Sequence, residues 1–118
     1  MMANSFRLDD TLHLVPLDPD SAAQAVAEDG AKIWLDMQDP APDELEEWLD
    51  RLAVSGLARR LCLGAGDHSG FYPLRREILL VLPVLAHTEG PREVDHVAFL
   101  CREGLLLTVH RSPVYGPH

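Results

Sequence analysis

Residues 94–110, VDHVAFLCREGLLLTVH, decide the fold. Two β-branched and leucine-rich runs flank a polar turn, and Glu103-Gly104 fits a tight hairpin, where glycine supplies positive φ without steric cost. Upstream, residues 78–86 read ILLVLPVLA, a third apolar run that is far too short to span a membrane and rich in strand-favouring side chains. A polar turn around Glu89-Gly90-Pro91 joins it to the hairpin. The three runs predict an antiparallel meander at the C-terminal end of the domain. Pro83 offers no N–H to a ladder, so its strand either bulges or lies partly at an edge there.

Moving toward the N-terminus, residues 64–70, GAGDHSG, hold three glycines and read as a mobile loop, and residues 57–63 as a short helix. The clearest helix lies before them. Leu45, Trp48, Leu49 and Leu52 recur at i, i+3, i+4 and i+7 and make one apolar stripe. Asp39 or Ala41 begins it, each followed by a proline suited to a first helical turn, and Gly56 stands where a left-handed terminating residue is needed. Residues 32–37, KIWLDM, alternate as a strand does. Residues 21–28 read as a small alanine-rich helix after an Asp18-Pro19 start, and residues 11–17 as a short strand. Trp34 and Trp48 are expected to anchor the core. The whole reads as a single α/β (α+β) domain over residues 1–118: a mixed β-sheet packed between helices, with a C-terminal antiparallel meander.

Bulk properties narrow the function. The 118 residues carry 19 acidic and 10 basic side chains, a net charge of −9, which repels nucleic acid and anionic lipid and attracts cations. Cys62 and Cys101 have no zinc-site spacing and do not make a disulfide scaffold, so a reducing cytoplasm is expected, with Cys101 a small buried apolar group. The N-terminus turns charged before any apolar stretch develops, and no cleaved secretory signal is visible. Nucleophile-elbow, phosphate-loop and paired-histidine zinc motifs are absent, and an enzyme is not expected.

Three segments in order, WLDMQDPAPDELEEWLDRLAVSGL, ILLVLPVL and VAFLCREGLLLTVHRSP, resemble the N-terminal cytoplasmic domain of the CorA family of divalent-cation transporters, over most of residues 33–113. GLLLTVHRSP resembles the family's strand ending in Leu-Ile-Thr-Val-His, and Trp34-Leu35-Asp36 its Trp-Ile-Asp-Leu strand. The resemblance implies a mixed sheet between helical layers, at the inner face of the cell membrane, followed in full-length members by a stalk helix and two membrane helices that this chain lacks. It implies as partners the remainder of the same transporter and further copies of the chain, a pentamer in full-length members and weakly associated here. It implies no cofactor beyond a divalent cation, Mg²⁺, Co²⁺ or Zn²⁺, as cargo or regulator. One departure matters: where relatives carry His-Pro-Leu-x-x-Glu-Asp, this chain has GLARRLCLGAGDHSGFYPLRRE, with Arg59 and Arg60 near the family's acidic positions.

The candidate metal ligands are Asp67 and His68, adjacent in the glycine-rich loop, and Asp43, Glu46 and Glu47 on an acidic helix that also carries Glu44 and Asp50. The plain alternatives are a solvated loop and the wet side of an amphipathic helix. His96 and His110 lie in strands where they can meet across the hairpin, as ligands or as packed imidazoles. The resemblance to the CorA family implies a regulatory funnel domain of a transporter that contributes to metal-dependent gating, with a free-standing interaction module of the same fold as the alternative.

Overall fold

The computed structural model describes residues 2–28, 30–54, 56–64, 69–85 and 94–111. In chain order these form β1 (Met2–Leu8), β2 (Leu14–Leu17), α1 (Pro19–Ala25), β3 (Ile33–Gln38), α2 (Pro42–Arg51), α3 (Gly56–Leu63), β4 (Gly70–Pro73), β5 (Ile78–Leu85), β6 (Val94–Arg102) and β7 (Leu105–His110). One seven-stranded sheet results, in the order β2-β1-β3-β7-β6-β5-β4. Neighbours run antiparallel except β3 and β7, which are parallel with Ile33 opposite Leu105 and Gln38 opposite His110. A mixed sheet with helices, the α+β class expected, is what forms.

The meander is present and gains a fourth strand, β4, which pairs with Ile78 to Val81 of β5. The expected turn at Glu89-Gly90-Pro91 lies outside the described residues. Pro83 stands opposite His96 in an unbroken register, and β4 stops short of it. The edge alternative therefore holds, without a bulge: β5 is paired only with β6 at Pro83 among the described strands. Glu103 and Gly104 form the hairpin turn, with Gly104 at φ 82.

Side-chain alternation gives the sheet two different faces. On one, Leu35, Met37, Leu79, Val81, Ala98, Leu100, Leu107 and Val109 meet Leu45, Leu49, Leu52, Ala58 and Cys62 of the α2–α3 corner. Ala22 and Ala25 of α1 pack with Ala31 and Ile33 on the same side. Each fully buried leucine there contributes roughly 1.5–3 kcal/mol from the area removed from water. The opposite face presents Phe6, Trp34, Leu106, Cys101 and Ile78, and no described helix lies on it. Cys101 is consequently exposed, a correction to its expected burial: its strand position points away from the helices.

Three local expectations also change. β1 was not legible, and β2 begins at Leu14 because residues 9–13 turn instead, with Asp9 Oδ1 accepting from the N–H groups of Thr11 and His13 at 2.9 Å each. Helix α1 stops at Ala25, three residues early, while Asp18 caps it as expected, accepting from Ser21 N at 3.1 Å. Helix α2 begins after Ala41, whose side chain cannot cap; Glu44 reaches back to accept from Ala41 N at 3.2 Å. Its end is set by Ala53, not Gly56. Ala53 adopts φ 56, its N–H donates to Asp50 O at 3.1 Å, and Val54 N–H donates to Leu49 O at 2.8 Å, the paired bonds of a Schellman motif. Gly56, at φ 63, opens α3.

Candidate functional site

The parallel pairing of β3 with β7 sets Asp36 opposite Thr108, and on the face away from the described helices this brings four polar groups together. Thr108 Oγ1 donates to Asp36 Oδ1 at 2.6 Å, and Trp34 Nε1 donates to Thr108 Oγ1 at 3.0 Å. His110 Nε2 lies 2.9 Å from Asp36 Oδ1 and 3.2 Å from Oδ2. A carboxylate only accepts, so this pairing places the ring proton on Nε2. Asp36, Thr108 and His110 are all buried. Removing a carboxylate from water is costly, and here the donors replace its hydration. The Thr108 hydroxyl gives its proton to the carboxylate and not to the imidazole, so the constellation fastens two strands rather than activating a nucleophile.

His110 thus pairs with Asp36 and not with His96. Strand alternation puts His96 on the helix side with Ala98, and His110 on the opposite side with Thr108. Trp34, half-buried, packs against Phe6 with ring centroids 5.3 Å apart and the planes tilted by 37°. Beside it is a cavity of about 390 Å³ lined by Leu8, Leu14, Lys32, Trp34, Gly104 and Leu106 among others. Trp48 packs partly against the core, with the Arg51 guanidinium 4.3 Å above its ring.

Of the expected metal ligands, those on α2 lie among the described residues. Asp67 and His68 lie outside the described residues. Asp43, Glu46 and Glu47 are exposed on α2, and Glu46 with Asp50 meets Arg59 of α3. Asp20 of α1 pairs with Arg51 at 2.8 Å. Among the described residues no three His, Cys, Asp or Glu side chains gather as a metal site. On the helix side, Arg102 Nη2 donates to the Leu52 carbonyl at the C-cap of α2, and its Nη1 lies 3.9 Å from Glu77 Oε2. Burial pushes the neighbouring Cys62 thiol up to about 12, with the Glu77 charge adding to it.

No family model matches the sequence, and no curated protein matches it either. Solved structures do. The soluble domain of CorA from Methanocaldococcus jannaschii superposes with a TM-score of 0.69 at 16% identity, over 96% of this chain and 42% of that one. The chain has the fold of the CorA soluble domain. The complete CorA magnesium transporter from the same organism matches with a TM-score of 0.72 at 19% identity, over 97% of this chain and 33% of that one. The ZntB cytoplasmic domain from Vibrio parahaemolyticus gives 0.69 at 16% identity, over 93% and 43%. The chain therefore spans less than half the length of each structure. The segments that resembled CorA in sequence, Trp34-Leu35-Asp36 and the Thr-Val-His ending, are the two parallel strands that carry the Asp36 network. Sequence reading singled out His110 but missed Asp36 and Thr108 as its partners. The available signal was a polar residue, Asp36 or Thr108, set within an otherwise apolar run.

Proposed function

We propose that the chain is the regulatory soluble domain of a CorA-type divalent-cation transporter and contributes to metal-dependent gating of a pore formed by other parts of the protein. The carrying observation is the likeness to CorA and ZntB soluble domains over nearly the whole chain. Its acidic surface, with Asp43, Glu44 and Glu47 on α2, suits a domain that works among cations. In this reading an ion shifts the pore only if it binds the closed arrangement of the domains more tightly than the open one. The domain has no catalytic role of its own, works at the inner face of the membrane and assembles with copies of itself.

The gene that encodes the chain, expressed in bacteria deprived of their own magnesium uptake, tests the transport reading: restored growth at limiting magnesium supports it, and failure of the expressed protein to admit Mg²⁺, Co²⁺ or Zn²⁺ removes it. Calorimetric titration of the metal-stripped chain with the same ions, with light scattering to follow mass, separately tests the sensing part.

A further inference from the structure

Helix α2 carries an electrostatic burden at its C-terminal end. Glu46 and Asp50 are one turn apart, so their carboxylates share a side of the helix, and like charges at that spacing are destabilising. Asp50 also lies in the last turn, where the helix dipole presents its negative end. The nearest cation on α2 itself is committed elsewhere: Arg51 reaches Asp20 and covers the Trp48 ring. Relief comes from α3. Arg59 Nη1 bonds Asp50 Oδ1, and Nη2 of the same guanidinium lies 3.9 Å from Glu46 Oε1. Ala53 and Gly56, both at positive φ, turn the chain so that Arg59 reaches back across α2, while Ala58 and Cys62 root α3 in the core. The bond to Asp50 also raises the pKa of the Arg59 guanidinium.

We propose that Arg59 is the built-in counter-ion of the α2–α3 corner, which makes its packing independent of divalent cations and leaves it dependent on them once Arg59 is removed. The two carboxylates are hard oxygen donors, the kind that bind calcium or magnesium with water completing the shell. A guanidinium is a permanent charge with several donors, so it serves both carboxylates without any ion from solution. It is supplied by the chain itself and cannot be diluted away. This inference concerns the corner alone and stands whether or not the whole protein moves ions.

The test is thermal unfolding followed by circular dichroism, comparing CaCl₂ at about 10 mM with NaCl of matched ionic strength. For the unaltered chain and for Arg59→Lys, which keeps the charge, the shift between the two salts should be the same to about 1 °C. Arg59→Gln should melt lower in NaCl and recover by about 3 °C or more in calcium, and adding Glu46→Gln and Asp50→Asn should abolish that recovery. If Arg59→Gln does not fold in NaCl, helical dichroism regained on adding calcium is the supporting result and persistent unfolding the contrary one. Calcium stabilising the unaltered chain as much as Arg59→Gln overturns the proposal. So does an Arg59→Gln protein that gains nothing from calcium, or one that still gains after both carboxylates are neutralised.

Discussion

His110 Nε2 and Asp36 Oδ1 meet at 2.9 Å although 74 positions separate them, because β3 and β7 are parallel neighbours in the middle of the sheet. The pair is buried and shares its carboxylate with Thr108, which in turn holds the Trp34 indole. Asp36→Ala would leave the Thr108 hydroxyl and the His110 N–H without their acceptor, at an expected cost of about 2–4 kcal/mol. Thr108→Val should cost about 1 kcal/mol, since Trp34 and Asp36 each lose one bond and no volume is lost. Urea unfolding of the single and double variants measures this. A coupling energy between Asp36→Ala and His110→Ala below about 0.5 kcal/mol would mean that the two groups act independently.

This network also marks how far the sequence could be read. The meander, the amphipathic helix and the 103–104 hairpin rest on local patterns, apolar periodicity and turn chemistry, which residues 33–110 carry plainly. Strand order is not local. Nothing in KIWLDM or LLLTVH states that the two strands are parallel neighbours, so Asp36 and His110 read as separate residues, with His96 as the residue that His110 can approach across the hairpin. β1 escaped because Met2–Leu8 mixes Asn4, Ser5 and Arg7 with apolar residues and has no clean alternation. The opposite face of the sheet explains the mistake at Cys101, since an apolar setting in sequence gave no hint that the described helices all lie on the other side.

The end of α2 offers a stabilising substitution. Ala53 holds φ 56 in a position where glycine is the usual occupant, and its Cβ makes that conformation costly. Ala53→Gly removes the strain at the expense of a more flexible unfolded chain, a net gain of about 0.5–1 kcal/mol. A rise in the midpoint of thermal unfolding, with Leu49 and Val54 still packed, is the expected reading. A fall would show that the paired bonds to Asp50 and Leu49 are too weak to hold the left-handed residue in place.

Two glycines with similar dihedral angles should respond differently to the same change. Gly30 has φ 77 and Gly104 has φ 82, but a Cβ at Gly30 meets nothing within 4 Å, whereas at Gly104 it would lie 2.8 Å from the Ala31 carbonyl oxygen. Gly30→Ala should therefore cost about 1–2 kcal/mol, the left-handed penalty alone. Gly104→Ala adds a backbone clash where Gly104 O accepts from Ile33 N at 2.9 Å, and should cost clearly more. Equal losses in denaturant titrations of the two variants would show that the hairpin shifts without resistance.

The two cysteines provide the last prediction. Cys101 is exposed on the face of the sheet away from the described helices, and Cys62 is buried, its thiol pushed from 9.0 to about 12 chiefly by burial and then by the Glu77 charge. At pH 8 a thiol reagent should modify Cys101 at once and Cys62 only at the rate at which the protein opens. The same shift predicts the alkaline limb of stability. The folded state holds the Cys62 proton more tightly than the unfolded state, so the contribution is complete below the ordinary thiol value and is lost as the pH rises from about 9 toward 12. The loss approaches about 1.4 kcal/mol per pH unit across that window. The informative measurement is the difference between the unaltered chain and Cys62→Ala, which isolates the Cys62 contribution. The variant starts less stable but should lose less stability with rising pH. Parallel stability curves for the two proteins would mean that the Cys62 site admits enough water to ionise the thiol where it stands.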